Sequence, residues 1–146
     1  MEIDRNGLEV LDRVECLRLL ASARLGRVGV TSRALPQVLP VNFRFDGHRI
    51  LIRTGRGTKL DAAILNAVVA FEVDEIDAES ETGWSVLVTG VAHEVTDLSE
   101  LAEVQAAPPP RWAPDGDSRV IALSLDLVSG RRIAAADPSR NGDGEP

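Results

Sequence analysis

The sequence predicts a mainly β fold with short helices: six strands and three helices forming a closed or nearly closed antiparallel barrel. Runs rich in Val, Leu and Ile recur at strand length along most of the chain. They are separated by short connections, of which Asp46-Gly47 is the strongest hairpin signal. Only three stretches carry helical patterning.

The elements follow in order. Asp12 and Glu15 form a D-x-x-E capping signal ahead of a helix over 13–22, with Val14, Leu17 and Leu20 expected on its inner face. Leu8 and Leu11 precede it as a candidate staple. The alternating run 27–32 reads as a strand, 34–37 as a turn, and 38–45 as a second strand. Pro40 places that strand at an edge or a bulge, because it has no N–H for a ladder. The returning strand is 49–54. Thr58 can cap a helix over 59–67 with Leu60, Ile64 and Leu65 inward. The strand 67–76 begins with a nearly continuous apolar run, which predicts burial on both faces. An acidic loop, 77–82, leads to a long strand over 84–96, where Gly90 signals a bulge or a close backbone approach. Asp97 caps a helix over 98–107. A proline-rich loop, 108–117, precedes one last strand over 119–133. Residues 1–136 read as one domain and 137–146 as a disordered polar tail.

Composition narrows the function. Aromatic residues make up 3% of the chain and Tyr is absent, so stacking platforms for single-stranded nucleic acid are scarce and that reading is weak. A net charge of −7 argues against binding a phosphate backbone. The charge is uneven: residues 1–66 carry +4 and residues 67–146 carry −11. A site for an acidic small molecule is therefore expected in the first half. Cys16 is the only cysteine, which excludes an internal disulfide and a cysteine metal cluster. The N-terminal stretch is polar rather than signal-like, and no apolar run approaches the roughly 20 residues of a membrane span. A cytoplasmic protein without membrane or nucleic-acid partners is expected.

The best candidate site is the segment IRTGRGTKLDAAILNA, residues 52–67, read as strand, glycine-punctuated loop and helix. Such a loop can offer backbone N–H groups to an anion. Arg53, Arg56 and Lys59, the only lysine, add positive charge. His48 at a hairpin tip, His93 on a strand and Cys16 on the first helix read as ordinary structural positions. No Ser-His-Asp set or paired acid–base carboxylates stand out.

The order of helix, hairpin, strand ending in Arg53-Thr54, loop with Lys59, strand, and then WSVLVTGVA (84–92) resembles a known family. It is similar to the flavin-binding split barrel of the pyridoxamine 5′-phosphate oxidase-like superfamily, in particular its small nitroimidazole reductase-like branch. The resemblance covers residues 11–133. It implies a homodimer with FMN in grooves at the subunit interface, a small-molecule substrate, and NADH or NADPH as candidate electron donor. By position, Val41, Asn42 and Phe43 would run along the flavin ring through backbone groups. Arg53 and Thr54 would lie near the ribityl chain and phosphate. Thr58 and Lys59 would occupy the place of a phosphate-binding Arg-Lys pair, and Trp84 and Ser85 a position that approaches the ring, often from the partner subunit.

Thr58 departs from that pair, so phosphate charge would come from Lys59 with Arg53 or Arg56. SGRRIAAADP (129–138) replaces the family's C-terminal Arg/His substrate motif, which argues against pyridoxamine phosphate as substrate. A deazaflavin coenzyme is the alternative cofactor, with Arg24, Arg27 and Arg33 as candidate groups for its tail. The alternative function is a non-catalytic flavin- or deazaflavin-binding module. The absence of a catalytic constellation fits a flavoenzyme equally well, because the cofactor supplies the redox chemistry.

Overall fold

The computed structural model describes residues 1–106, 108–109 and 117–133. In chain order it contains β1 (Glu2–Ile3), β2 (Glu9–Val10), α1 (Arg13–Ser22), β3 (Leu25–Ser32), β4 (Leu35–Phe45) and β5 (Ile50–Gly55). There follow α2 (Lys59–Ile64), β6 (Val68–Asp77), β7 (Thr82–Glu94), α3 (Leu98–Ala106), β8 (Ser118–Leu123) and β9 (Leu127–Ile133). Six strands close a ring in the order β7-β6-β3-β4-β5-β8, with β8 returning to β7. Strands β9, β2 and β1 extend the sheet beyond β7. All pairings are antiparallel.

The predicted barrel is therefore present, and its closure depends on β7. One edge of β7 pairs with β6 over Thr82–Val91, from Val68↔Val91 to Asp77↔Thr82. The other edge pairs with β9 over Gly83–Thr89 and with β8 over Ala92–Glu94. At the change of partner, Ser124, Leu125 and Asp126 stand opposite Gly90 and Val91, one extra residue in the manner of a bulge. Ser124 secures this corner. Its N–H donates to the Val91 carbonyl at 3.1 Å, and its Oγ accepts from the Val91 N–H at 3.0 Å. A Cβ at Gly90 would lie 1.8 Å from the Ser124 carbonyl oxygen, so the close approach expected at Gly90 is real. The single last strand expected over 119–133 is two strands, because its first half bends away to pair with β5.

The barrel interior is filled by alternate strand residues, among them Val28, Val41, Phe43, Ile52, Phe71, Val86 and Ile121. Phe43 and Phe71 meet edge-on, with ring centroids 4.8 Å apart. Helix α1 docks Cys16, Leu19 and Leu20 onto this core, and α2 contributes Ile64. Val14 is 79% exposed rather than inward, because it lies on the side of α1 opposite Cys16. Asp12 caps α1 as expected, accepting from the Glu15 N–H. Helix α2 ends at Ile64 instead of continuing to 67, and Asn66 takes a left-handed conformation that turns the chain into β6. Strand β6 is buried on one face only: Val69, Phe71 and Val73 point inward while Val68 is 70% exposed. A smaller apolar cluster lies outside the ring, where Leu101 and Val104 of α3 cover Leu51, Val95, Val120 and Ala122.

The β3–β4 turn is a two-residue hairpin at Arg33-Ala34, both with positive φ, so β4 starts earlier than the sequence suggested. The expected turn at Asp46-Gly47 is present, with the Asp46 carboxylate accepting from the His48 and Arg49 N–H groups. The expected tail 137–146 and most of the loop over 108–117 lie outside the described residues.

Replacing Gly90 with Ala should cost about 3 kcal/mol or more, because the new methyl meets backbone that cannot move without opening the ring. Gly29→Ala is the control: its Cβ would only touch the Ala70 methyl at 3.5 Å. It should change stability by no more than about 0.5 kcal/mol in the same urea-unfolding experiment.

Candidate functional site

Strands β4 and β5 pair over three residues only, Phe43↔Ile52 to Phe45↔Ile50. Beyond that they separate. Residues Leu35–Asn42 pair with β3 on one edge and, among the described residues, have no strand on the other. Pro36 and Pro40 fall in this stretch, as expected for an edge. Meanwhile β5 continues to Gly55 beside β8. The barrel is split here, and the basic loop 55–58 leads away from the β5 side of the gap.

That loop is organised by a residue the sequence did not mark. Asp61 is 3% exposed and its carboxylate sits inside the loop. It accepts from the Gly57 N–H at 3.0 Å, from the Thr54 hydroxyl at 2.8 Å and from Arg119 Nε at 3.2 Å. Burial alone would raise its pKa, but these three donors outweigh burial and hold it below the ordinary carboxylate value. Arg119 also reaches Glu94 at 3.0 Å, and Arg56 bridges Asp117 at 2.7 Å and Glu94 at 3.6 Å.

The backbone of the loop is largely satisfied from within. The Arg56 N–H donates to Asp117, the Thr58 N–H to Gly55, and the Asp61 N–H to the Thr58 hydroxyl. The sequence reading offered these N–H groups to an external anion, but an internal carboxylate already occupies that position. Helix α2 has only six residues, too few for a strong terminal field. An anion at this loop therefore depends on side chains. Lys59 is exposed and makes no ion pair with the described residues.

The other predicted positions divide into groups. Val41 and Phe43 are buried in the barrel; Val41 stands opposite Gly26 of β3, while Phe43 pairs with Ile52 of β5 and its N–H donates to the Arg24 carbonyl at 3.0 Å. Asn42 is half-buried on the opposite side of β4. Arg53 faces outward on β5, with Nη1 3.4 Å from the Ser118 hydroxyl. Thr54 faces inward and its hydroxyl is committed to Asp61. The Thr58 hydroxyl caps α2 and donates to Gly55. Trp84 and Ser85 are half-buried on β7, opposite Arg132 and Arg131 of β9. Trp84 lines a cleft of about 740 Å³ with Glu75, Asp77 and Arg132, separate from the cleft lined by Arg53. Within one chain, the two ends of the predicted site are thus apart. Of the arginines considered for a longer coenzyme tail, Arg27 is engaged by Glu72 and Asp74, and Arg33 forms the hairpin turn.

The outer face of the sheet carries exposed apolar residues: Val38 on β4, Val68 on β6, Leu87 and Val91 on β7, and Leu127 on β9. In its middle, Arg27 Nη1 lies 3.4 Å from Glu72 and 3.1 Å from Asp74. Glu72 is pushed up to about 7, first by burial and then by the neighbouring Asp74 carboxylate, against the pull of Arg27. Cross-strand, Glu72 faces Leu87 of β7, which supplies no charge.

A closed six-stranded barrel with one strand edge open beside a basic loop defines the class. The family model described as pyridoxamine 5′-phosphate oxidase matches residues 12–132, and the chain belongs to that family. A relative from Mycobacterium tuberculosis (strain ATCC 25618 / H37Rv), "Uncharacterized protein Rv0080", is 41% identical over 130 residues, covering 86% of this chain and 85% of its own. The solved FAD binding protein of Mycobacterium smegmatis is 37% identical with a TM-score of 0.77, covering 86% of this chain and 100% of its own. A candidate pyridoxamine 5′-phosphate oxidase of Corynebacterium glutamicum is 33% identical with a TM-score of 0.76, covering 87% and 98%. The family expected from the sequence is the family found. Among the described residues no helix is long and apolar enough to cross a membrane.

Asp61→Ala leaves Arg119, Thr54 and Gly57 without their shared acceptor and should destabilise the fold by about 3 kcal/mol or more, read by urea unfolding. Glu72 gives a pH signature of defined sign. Its folded pKa of about 7 lies above the ordinary 4.5, so its contribution is fully favourable below 4.5 and is lost as pH rises through 7. Glu72→Gln should therefore raise the melting temperature at pH 8 and bring less gain at pH 5.

Proposed function

We propose that this protein is a homodimeric flavin-dependent oxidoreductase acting on a small molecule. The observation that carries the reading is the open edge of β4 next to Arg53 and Lys59, in a chain of this family. A flavin ring has a polar edge that backbone groups of an unpaired strand can hydrogen-bond, and a phosphate that needs cations. The 37% identical relative that is described as FAD-binding supports a flavin. FMN and FAD share the ring, the ribityl chain and the first phosphate, so this part of the site serves either.

The residues present fit such a group. Asn42, next to the point where β4 and β5 separate, offers main-chain groups to the gap, Lys59 offers a charge-assisted contact to phosphate, and Arg53 stands on the adjoining part of β5. A flavin bound here would supply hydride chemistry. The chain's own residues would fix its orientation and keep water from its buried face. Two copies bring further support. The apolar outer sheet face, with Val38, Val68 and Leu127 exposed, suits a second copy of the chain. A partner can also bring Trp84 and Ser85 to a ring bound by the first subunit, which one chain alone does not do.

A non-catalytic flavin-binding module is the second reading. The capped loop and Thr58 favour it, since they leave phosphate binding to few side chains. Stopped-flow mixing with NADH or NADPH separates the two: a bound flavin that is reduced and then reoxidised by a substrate supports the enzyme. Lys59→Glu should weaken flavin binding by roughly 1.5–3 kcal/mol in a fluorescence titration. An unchanged affinity removes Lys59 from the site.

A further inference from the structure

On the outer face of the sheet, Arg27 of β3 stands opposite Glu72 of β6, and Glu72 opposite Leu87 of β7. Asp74 is the next outward residue on β6. The row beside this one is small in its middle, at Gly29 and Ala70, and ends in exposed Val38 and Leu127. One guanidinium thus serves two carboxylates on a largely apolar face. Among the described residues nothing else offsets that excess. The outward neighbours on β7 are Ser85, Leu87 and Thr89, and those beside Arg27 on β3 are Leu25 and Gly29, all uncharged. Arg131, beyond Ser85 on β9, is held by Asp4 at 2.9 Å.

We propose that a second copy of this chain closes this face, and that closure takes up one proton per chain at the Glu72–Asp74 pair, so that the dimer tightens as pH falls. The inference rests on the homodimer of the reading above and adds its regulation. Three observations carry it. First, the face is self-complementary. A two-fold axis along the strands, between β3 and β6, sets each Arg27 over Glu72 of the partner subunit. It also sets each Val38 near Leu87 and Val91 of the partner subunit, and lays β7, which carries Trp84, over the other copy's β4. Second, the charges do not balance. Two copies bring four carboxylates and two guanidiniums in any register, so two carboxylates would lose water without gaining a cation. A proton from solvent on each pair removes that cost. Third, Glu72 is poised to accept it, since burial and the adjacent Asp74 already hold it at about 7. Covering by a second sheet deepens the burial and favours the protonated form further.

The test is the dissociation constant of the full-length dimer, from sedimentation velocity over a dilution series at pH 6 and at pH 8 with ionic strength held fixed. The dimer should be about tenfold or more weaker at pH 8. Glu72→Gln should tighten the dimer at pH 8 and bring the two constants within about twofold of each other. Val68→Asp changes an exposed side chain of the same face. It should weaken the dimer about tenfold or more at both pH values while circular dichroism shows the chain still folded. Equal constants at the two pH values, or a pH effect that survives Glu72→Gln, overturn the proton linkage and leave the homodimer standing. A dimer indifferent to Val68→Asp overturns the assignment of this face. A chain that stays monomeric at both pH values and every concentration overturns the homodimer itself, and this inference with it.

Discussion

Strand β7 has one continuous neighbour, β6, and two partial ones, β9 and β8, which share its opposite edge. Every other feature depends on this division. If β9 ran the full length of β7, β8 would lose its place and the ring would stay open, with two strand edges exposed. The change of partner happens at Gly90, where Ser124 crosses too close for any side chain. Because β8 closes the ring from that side, β5 is held against β8 rather than along the whole of β4. The gap between β4 and β5 follows, and with it the unpaired backbone on which the functional reading stands.

Asp61 decides what the neighbouring loop can do. A buried carboxylate is tolerated only when donors surround it, and here a backbone N–H, a hydroxyl and a guanidinium do so. The cluster ties β5, α2 and β8 together at the mouth of the gap. It also spends the backbone groups that a glycine loop usually offers to phosphate. Charge beside the gap then comes from flexible side chains, Lys59 above all, which bind anions less selectively than a rigid cradle. The same cluster neutralises Arg119 and, through Glu94, part of Arg56. Positive charge in the sequence is therefore a poor measure of positive charge available to a ligand.

The outer sheet face shows a related compromise. Apolar residues spread across β4, β6, β7 and β9, yet Arg27, Glu72 and Asp74 stand among them. Two carboxylates on alternate positions of one strand share a face, so they repel one another and one arginine must serve both. A face of this kind binds a matching face only in the right register, since a shifted partner would leave a charge against apolar surface.

The sequence by itself determined the type and order of the main elements. Alternation is local: the inward positions of β3, β4 and β7 follow from side chains pointing to opposite faces along a strand. The caps at Asp12 and Thr58 and the turn at Asp46-Gly47 were legible for the same reason, because each involves residues within a few positions of one another. Glycine at position 90 announced a close approach without naming what approaches. Tertiary structure alone decided the rest. The exposure of Val14, the break between β8 and β9 and the one-sided burial of β6 depend on partners far along the chain. Asp61 reads in sequence as an ordinary first-turn residue, and only the arrival of Arg119, 58 positions later, reveals its role. Which cation remains available and which strand edge remains open are set by long-range pairing, and no local pattern encodes them.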